Sequence, residues 1–138
     1  GSEDDRINGG AGSDTIDGGT GNNAIDYSNS VGAVTINLGT NAVSGGDATG
    51  DVLLGTFGVA WGSTFGDSII GSSGTDVFFA LAGNDTLIGG LGVDTANYSL
   101  APEAMKIPGV VPTQRYDAGA QLTVSRSTTP GRRRRCRR

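Results

Sequence analysis

Aspartate stands at positions 67, 76, 85 and 94, nine residues apart each time, and two residues beyond each lies Ile69, Phe78, Leu87 or Ala96. A nine-residue period fits neither the 3.6-residue helical repeat nor the two-residue alternation of a strand, so the chain must coil back on itself. The surrounding text keeps the same frame. Residues 71–79 read GSSGTDVFF, 80–88 read ALAGNDTLI and 89–97 read GGLGVDTAN, while near the start 9–17 read GGAGSDTID and 18–26 read GGTGNNAID. Residues 62–70, GSTFGDSII, are a looser copy in which Gly66 directly precedes Asp67.

Each unit divides into two parts with different backbone preferences. The glycine-rich first six residues suit a tight turn, since glycine supplies positive φ at no steric cost. The last three, such as Thr-Ile-Asp or Val-Phe-Phe, favour extended backbone and send their middle side chain to the face opposite its neighbours. Two units then make one coil of 18 residues, and the predicted fold is an all-β parallel solenoid with a thin apolar core. Ile16 is expected against Ile7 and Ile25, and Phe78 against Ile69 and Leu87.

The same geometry pairs the acidic residues. Asp67 stacks on Asp85 and Asp76 on Asp94, about one strand spacing of roughly 4.8 Å apart. Two bare carboxylates about 4 Å apart repel by ~1 kcal/mol in bulk water and ~4 kcal/mol at an intermediate dielectric. That is large against the ~5 to 15 kcal/mol stability of a domain, so a cation is expected between them. Carboxylates and glycine-turn carbonyls form an all-oxygen site that suits Ca²⁺, whereas Zn²⁺ would seek His or Cys. The chain has no His and one Cys. In the first block Asp5 pairs with Asn23, and Asp14 would need a partner at position 32, which is Gly32. Calcium is therefore expected to order residues 62–99 before the N-terminal repeats, and Asp85 to matter more than Asn23.

These residues resemble the repeats-in-toxin, or hemolysin-type calcium-binding, family, whose unit is Gly-Gly-x-Gly-x-Asp-x-U-x with U a large apolar residue. Residues 9–17 match every fixed position, and 18–26 offer Asn23 in the aspartate's place. The resemblance implies a parallel β-roll that binds several Ca²⁺ ions. The expected metal ligands are Asp5, Asp14, Asn23, Asp67, Asp76, Asp85 and Asp94. Turn carbonyls at Gly10, Gly12, Gly74, Gly83, Gly90 and Gly92 are expected to join them. The family is typically exported from Gram-negative bacteria by type I secretion, so the resemblance also implies an extracellular location and a chain that folds on meeting calcium outside the cell.

Charge follows the repeats. Residues 1–100 hold twelve acidic residues and one basic residue, Arg6, a net charge of −11 that the whole chain's −4 conceals. Between the blocks the frame slips, because Asn23 and Asp67 are 44 residues apart, one short of five nines. There Val34, Ile36 and Leu38 alternate as in a half-buried strand, and GGDATGDVLL at 45–54 gives a turn followed by Asp51 and Leu53 at the usual offset. Metal binding and turn chemistry explain Asp47 and Asp51 equally well. The expected organisation is an N-terminal repeat block (1–28), a degenerate β-rich bridge (29–61) packed on the end of the first block, a second block (62–99) and an irregular Arg-rich tail (100–138). DYSNS at 26–30 is echoed by NYS at 97–99, which suggests a longer duplicated unit.

The tail, ending RSTTPGRRRRCRR, admits binding to nucleic acid or an anionic membrane, an internal liaison with the acidic coil, or a non-native end. It lacks interleaved aromatics, and nucleic acid is not expected as a partner. Without histidine there is no Ser-His-Asp triad or His-Glu-x-x-His site, and no Gly-x-x-x-x-Gly-Lys-Ser/Thr loop occurs, so the expectation is a non-enzymatic module. No apolar run is long enough for a membrane span. The chain starts inside a degenerate repeat without methionine, which predicts a piece of a larger secreted polypeptide as calcium's companion partner. A stabilising β-roll, a repeat segment of a surface adhesin and an accessory module of a secreted hydrolase, lipase or epimerase all fit.

Overall fold

A computed structural model describes residues 1–97 together with the strands at 113–116 and 121–124. Among them the only helical element is the 3-10 turn Gly46–Ala48, and all the rest of the regular structure is β. The strands of the first block are β1 (Arg6–Ile7), β2 (Thr15–Asp17) and β3 (Asn23–Asp26). The segment that follows gives β4 (Thr35–Asn37), β5 (Ala42–Ser44), β6 (Val52–Leu54) and β7 (Phe57–Trp61). The second block adds β8 (Ser68–Ile70), β9 (Val77–Phe79), β10 (Asp85–Ile88) and β11 (Asp94–Asn97), with β12 (Thr113–Tyr116) and β13 (Gln121–Val124) beyond it.

Successive repeats alternate between opposing sheets, as a coil of two repeats per turn requires. One sheet runs β1-β3-β7-β9-β11-β12; facing it are β13-β10-β8-β4-β5 and the two-stranded β2-β6. The parallel pairs Arg6↔Ala24, Ser68↔Thr86, Val77↔Thr95 and Val59↔Val77 each join residues 18 apart. The 18-residue turn is thus written directly in the register. The middle apolar residue of each strand points inward, so Ile16, Ile25, Ile69, Phe78, Leu87 and Ala96 fall in one buried core with Ile7 packed against it.

The slip in the frame has a structural cause. After β3 the chain runs ahead to lay β4 parallel on β8, in the second block, returns through antiparallel β5, and then places β6 parallel on β2 in the first. The middle segment therefore joins both blocks, where the sequence suggested packing on the end of the first. Val34, Ile36, Leu38 and Leu53 are buried as their alternation predicted. A bulge between Asn23 and Ala24 on the β3–β7 pair absorbs the odd residue, since Asn23 faces Phe57 while Ala24 faces Val59.

Antiparallel β12 on β11 and β13 on β10 extend both sheets past the last coil. They cover edges that would otherwise present unpaired backbone groups. Two short strands thus lie within the segment expected to be irregular; the arginine run at 132–138, Lys106 and Cys136 lie outside the described residues. On the outer face, Trp61 stacks on Phe79 with ring centroids 3.9 Å apart. The Arg6 guanidinium lies 3.8 Å from the Trp61 centroid and is also 2.7 Å from an Asp26 carboxylate oxygen. This clasp draws β1, β3, β7 and β9 together.

Candidate metal centre

Every repeat aspartate sits immediately before or at the start of its strand, so the parallel register stacks it on the residue one coil away. The link is a hydrogen bond repeated at four places. The Asp67 backbone N–H donates to Asp85 Oδ1 at 2.8 Å, Asp76 N–H to Asp94 Oδ1 at 3.0 Å, and Asp5 N–H to Asn23 Oδ1 at 3.1 Å. The fourth falls outside the nine-residue frame: Asp14 N–H donates to Asp51 Oδ1 at 2.8 Å. The partner of Asp14 is therefore Asp51, and Gly32 takes no part, because the bridge interrupts the coil and returns at β6. The two ladders are broken at Phe57, opposite Asn23, and at Val34, whose N–H donates to Asp67 Oδ1 at 2.8 Å.

The carboxylates differ in how well the protein satisfies them. Asp67 accepts from the backbone N–H and hydroxyl of Ser63 at 2.6 and 2.7 Å, and Asp76 from those of Ser72 at 2.6 and 3.0 Å. Both serines occupy the second glycine position of the repeat unit. In the units of Asp14, Asp85 and Asp94 that position is Gly10, Leu81 or Gly90, and in all three a buried Oδ2 has no partner. Asn23 needs none of this. Its Nδ2 donates to Thr56 O at 2.8 Å and lies 3.5 Å from the carbonyls of Thr20 and Gly21, so the amide nitrogen occupies a ring of backbone oxygens.

Burial raises the proton affinity of the second block. Asp85, fully buried, is pushed up to about 7 chiefly by loss of water, with the neighbouring Asp67 charge adding to it and the Asp67 N–H opposing. Burial likewise lifts Asp67, Asp76 and Asp94 above the ordinary carboxylate range. Asp26 moves the other way. Although burial pushes its carboxyl up, hydrogen bonds from Ser28 and Arg6 together hold it below the usual value.

Turns close over these carboxylates only because glycine permits it. Gly90 and Gly92 have φ of 93° and 99°, and a Cβ on either would collide with the carbonyl oxygens of Ser72 and Gly74 in the coil below. Gly10, Gly12 and Gly83 also adopt positive φ. Gly74 does not; its N–H donates to the Ser72 hydroxyl at 3.0 Å. Asp5 is exposed beside the N-terminal amine. Among the described residues no three acidic, His or Cys side chains converge on one point. A cation here would thus draw on paired carboxylates plus turn carbonyls, a hard-oxygen donor set of the kind Ca²⁺ accepts with six to eight ligands.

The description RTX calcium-binding nonapeptide repeat matches residues 1–29 and 61–96, in four copies. These two blocks are RTX repeats. Repeats of this family bind several Ca²⁺ ions, and the unpartnered carboxylate oxygens and crowded glycine turns fit that cofactor. No curated protein and no solved structure matches the chain. Among the described residues no helix is long and apolar enough to cross a membrane.

Sequence reasoning reached the RTX pairs Asp67–Asp85, Asp76–Asp94 and Asp5–Asn23. It missed the serines that satisfy Asp67 and Asp76, although Ser63 and Ser72 stand where the repeat unit calls for glycine. It also left Asp51 undecided. The signal was present in the text, since TGDVLL at 49–54 parallels FGDSII at 65–70, glycine before aspartate in both.

Proposed function

We propose that this chain is a calcium-driven folding module of a secreted bacterial protein, with the ions held by the carboxylate pairs Asp67–Asp85 and Asp76–Asp94 and by turn carbonyls around them. The observation that carries the reading is the pair of buried, unpartnered oxygens, Oδ2 of Asp85 and of Asp94. A buried charged oxygen with no partner costs several kcal/mol in the absence of a counter-ion. Arg6 is the only basic residue among the first hundred, and it is engaged with Asp26 and Trp61. No basic side chain of the first hundred residues is left to neutralise these oxygens, which favours a cation from solution.

On this reading the polypeptide is weakly structured where calcium is scarce, which suits passage through an export channel, and closes into a coil in the calcium-rich exterior. Extracellular calcium then stabilises the larger polypeptide to which the module belongs. Residues 29–61 act as a bridge between the two blocks, and the module provides structure and no catalysis. Far-ultraviolet circular dichroism of the full chain, with calcium and then with excess chelator, tests this. A large loss of β signal on chelation, restored by Ca²⁺ but not by Mg²⁺, is expected; identical spectra would sink the reading.

A further inference from the structure

We infer that the cleft between residues 38–41, 55–57 and 72–74 is a binding site for a neutral, hydroxyl-rich ligand, a short uncharged saccharide. It lies apart from the carboxylate pairs and arises from the way the bridge interrupts the coil. On one face of the solenoid a single strand, β7, separates β3 from β9; on the other, β6, β5 and β4 lie between β2 and β8. Strands stack about 4.8 Å apart, so one face lengthens at the bridge more than the other. The column of turns on the longer side has to part.

The connections at the bridge are held on opposite sides of this opening. Residues 55–56, which join β6 to β7, stay with the first block, where Thr56 N–H donates to Gly19 O at 3.1 Å. Residues 38–41, which join β4 to β5, stay with the second, where Leu38 N–H donates to Ile70 O at 2.8 Å. The 55–56 link is also shorter than 18–22 or 89–93, which join β2 to β3 and β10 to β11. A cleft of about 500 Å³ is left, within the roughly 300–1,000 Å³ of small-molecule sites. Asn41 Nδ2 ties its two sides together by donating to Gly55 O at 2.8 Å.

The lining decides the chemistry of the ligand. None of the residues that line the cleft is ionisable, although twelve of the first hundred are acidic. A cation would find no carboxylate there, and an anion would meet the net negative field of the module. Instead the exposed residues Thr40, Thr56 and Ser73 bring hydroxyls, which both donate and accept, and the Asn41 carboxamide adds an acceptor oxygen. The Ser72 hydroxyl is already engaged with Asp76 and the Gly74 N–H, so it serves only as wall. Buried Leu38 and Phe57 supply an apolar floor. Neutral hydroxyls above an apolar floor suit a pyranose, whose hydroxyls ring a C–H face.

Nuclear magnetic resonance of the full, nitrogen-15-labelled chain in calcium buffer tests the site. Maltose, cellobiose and diacetylchitobiose are titrated as neutral probes and digalacturonate as a charged one. At least one neutral disaccharide is expected to shift the amide signals of Thr40, Asn41, Thr56 and Ser73 saturably, and digalacturonate to leave them in place. Ser73→Phe fills the cleft and should weaken that binding at least tenfold. Position 73 is the variable third place of its repeat unit, filled by Leu91 one coil on, so a large side chain is compatible with the turn. Val31→Phe adds the same bulk at an exposed place outside the cleft and should bind like the parent. Should Ser73→Phe fail to fold, the exposed pair Thr40→Ala and Thr56→Ala replaces it, with a several-fold loss expected. Absence of saturable shifts with all three neutral sugars, equal binding of digalacturonate, or binding untouched by the cleft variants overturns the site. None of these results bears on calcium-driven folding, which the chelator experiment decides separately.

Discussion

Asn23 and Asp85 hold equivalent places in the coil, each buried and each accepting a backbone N–H from the residue one coil below, yet only one of them is complete. The amide of Asn23 turns a nitrogen toward Thr56 O and the carbonyls of its own turn, whereas Asp85 is left with an unpartnered oxygen. A donor has replaced an acceptor. Where the chain supplies its own donor, as Asn23 does by its amide and Asp67 and Asp76 receive from neighbouring serines, the turn closes without outside help. Where it does not, the function proposed above has an ion supply the positive charge. On that proposal calcium demand is set repeat by repeat, by one or two atoms.

The comparison breaks most visibly with pH in the presence of chelator. Asp85 binds its proton at about 7 in the fold, against about 3.9 for an unperturbed carboxyl. The folded state therefore holds the proton more tightly than the unfolded one. The contribution of Asp85 to the stability of the calcium-free coil should be fully present below about pH 4 and lost as pH rises through about 7, by on the order of 4 kcal/mol at most. Urea unfolding in chelator across this range measures it, and a flat profile would contradict the burial of Asp85.

With calcium present, Asp85→Asn should remove most of one ion's contribution, about 2.7 kcal/mol at a concentration 100 times the Kd. Comparison of the urea midpoint with and without calcium should show that shift for the parent and little for the variant. Asn23→Asp is the converse. It discards the Thr56 bond and buries a new charge, so it should cost about 2 kcal/mol in chelator and regain part of that on adding calcium, making the first block respond like the second. A variant as stable as the parent in chelator would show that the amide contributes nothing special. The smallest effect is expected of Ser72→Ala, about 1 kcal/mol in chelator, with calcium narrowing the difference; equal losses under both conditions would mean that the hydroxyl and the ion act independently.

Much of the fold was legible because its period is rigid. A nine-residue unit with glycine turns and one inward apolar residue has few ways to pack, and the residues 18 apart that the spacing paired are the ones hydrogen-bonded in β8–β10 and β9–β11. The bridge was legible only as local strands. Val34, Ile36 and Leu38 announced a buried face, but nothing in their alternation says that β4 would lie on β8, 33 residues away in register. The clasp of Arg6, Asp26, Trp61 and Phe79 was hidden for a similar reason, since its members come from four strands of one outer face.

What the sequence by itself determined was the repeat: turn, strand, inward side chain and a carboxylate stacked every 18 residues, all local consequences of glycine's freedom and two-residue strand alternation. What only the tertiary structure decided was which carboxylates meet across the interruption and which remain unsatisfied. Asp14 meets Asp51 because a looped-out segment returns in register, and Asp67 is satisfied because a serine hydroxyl and the Val34 N–H reach it. Hydrogen bonds of about 2.8 Å depend on where atoms lie in space, and once the chain leaves its period the count of residues along it no longer carries that information.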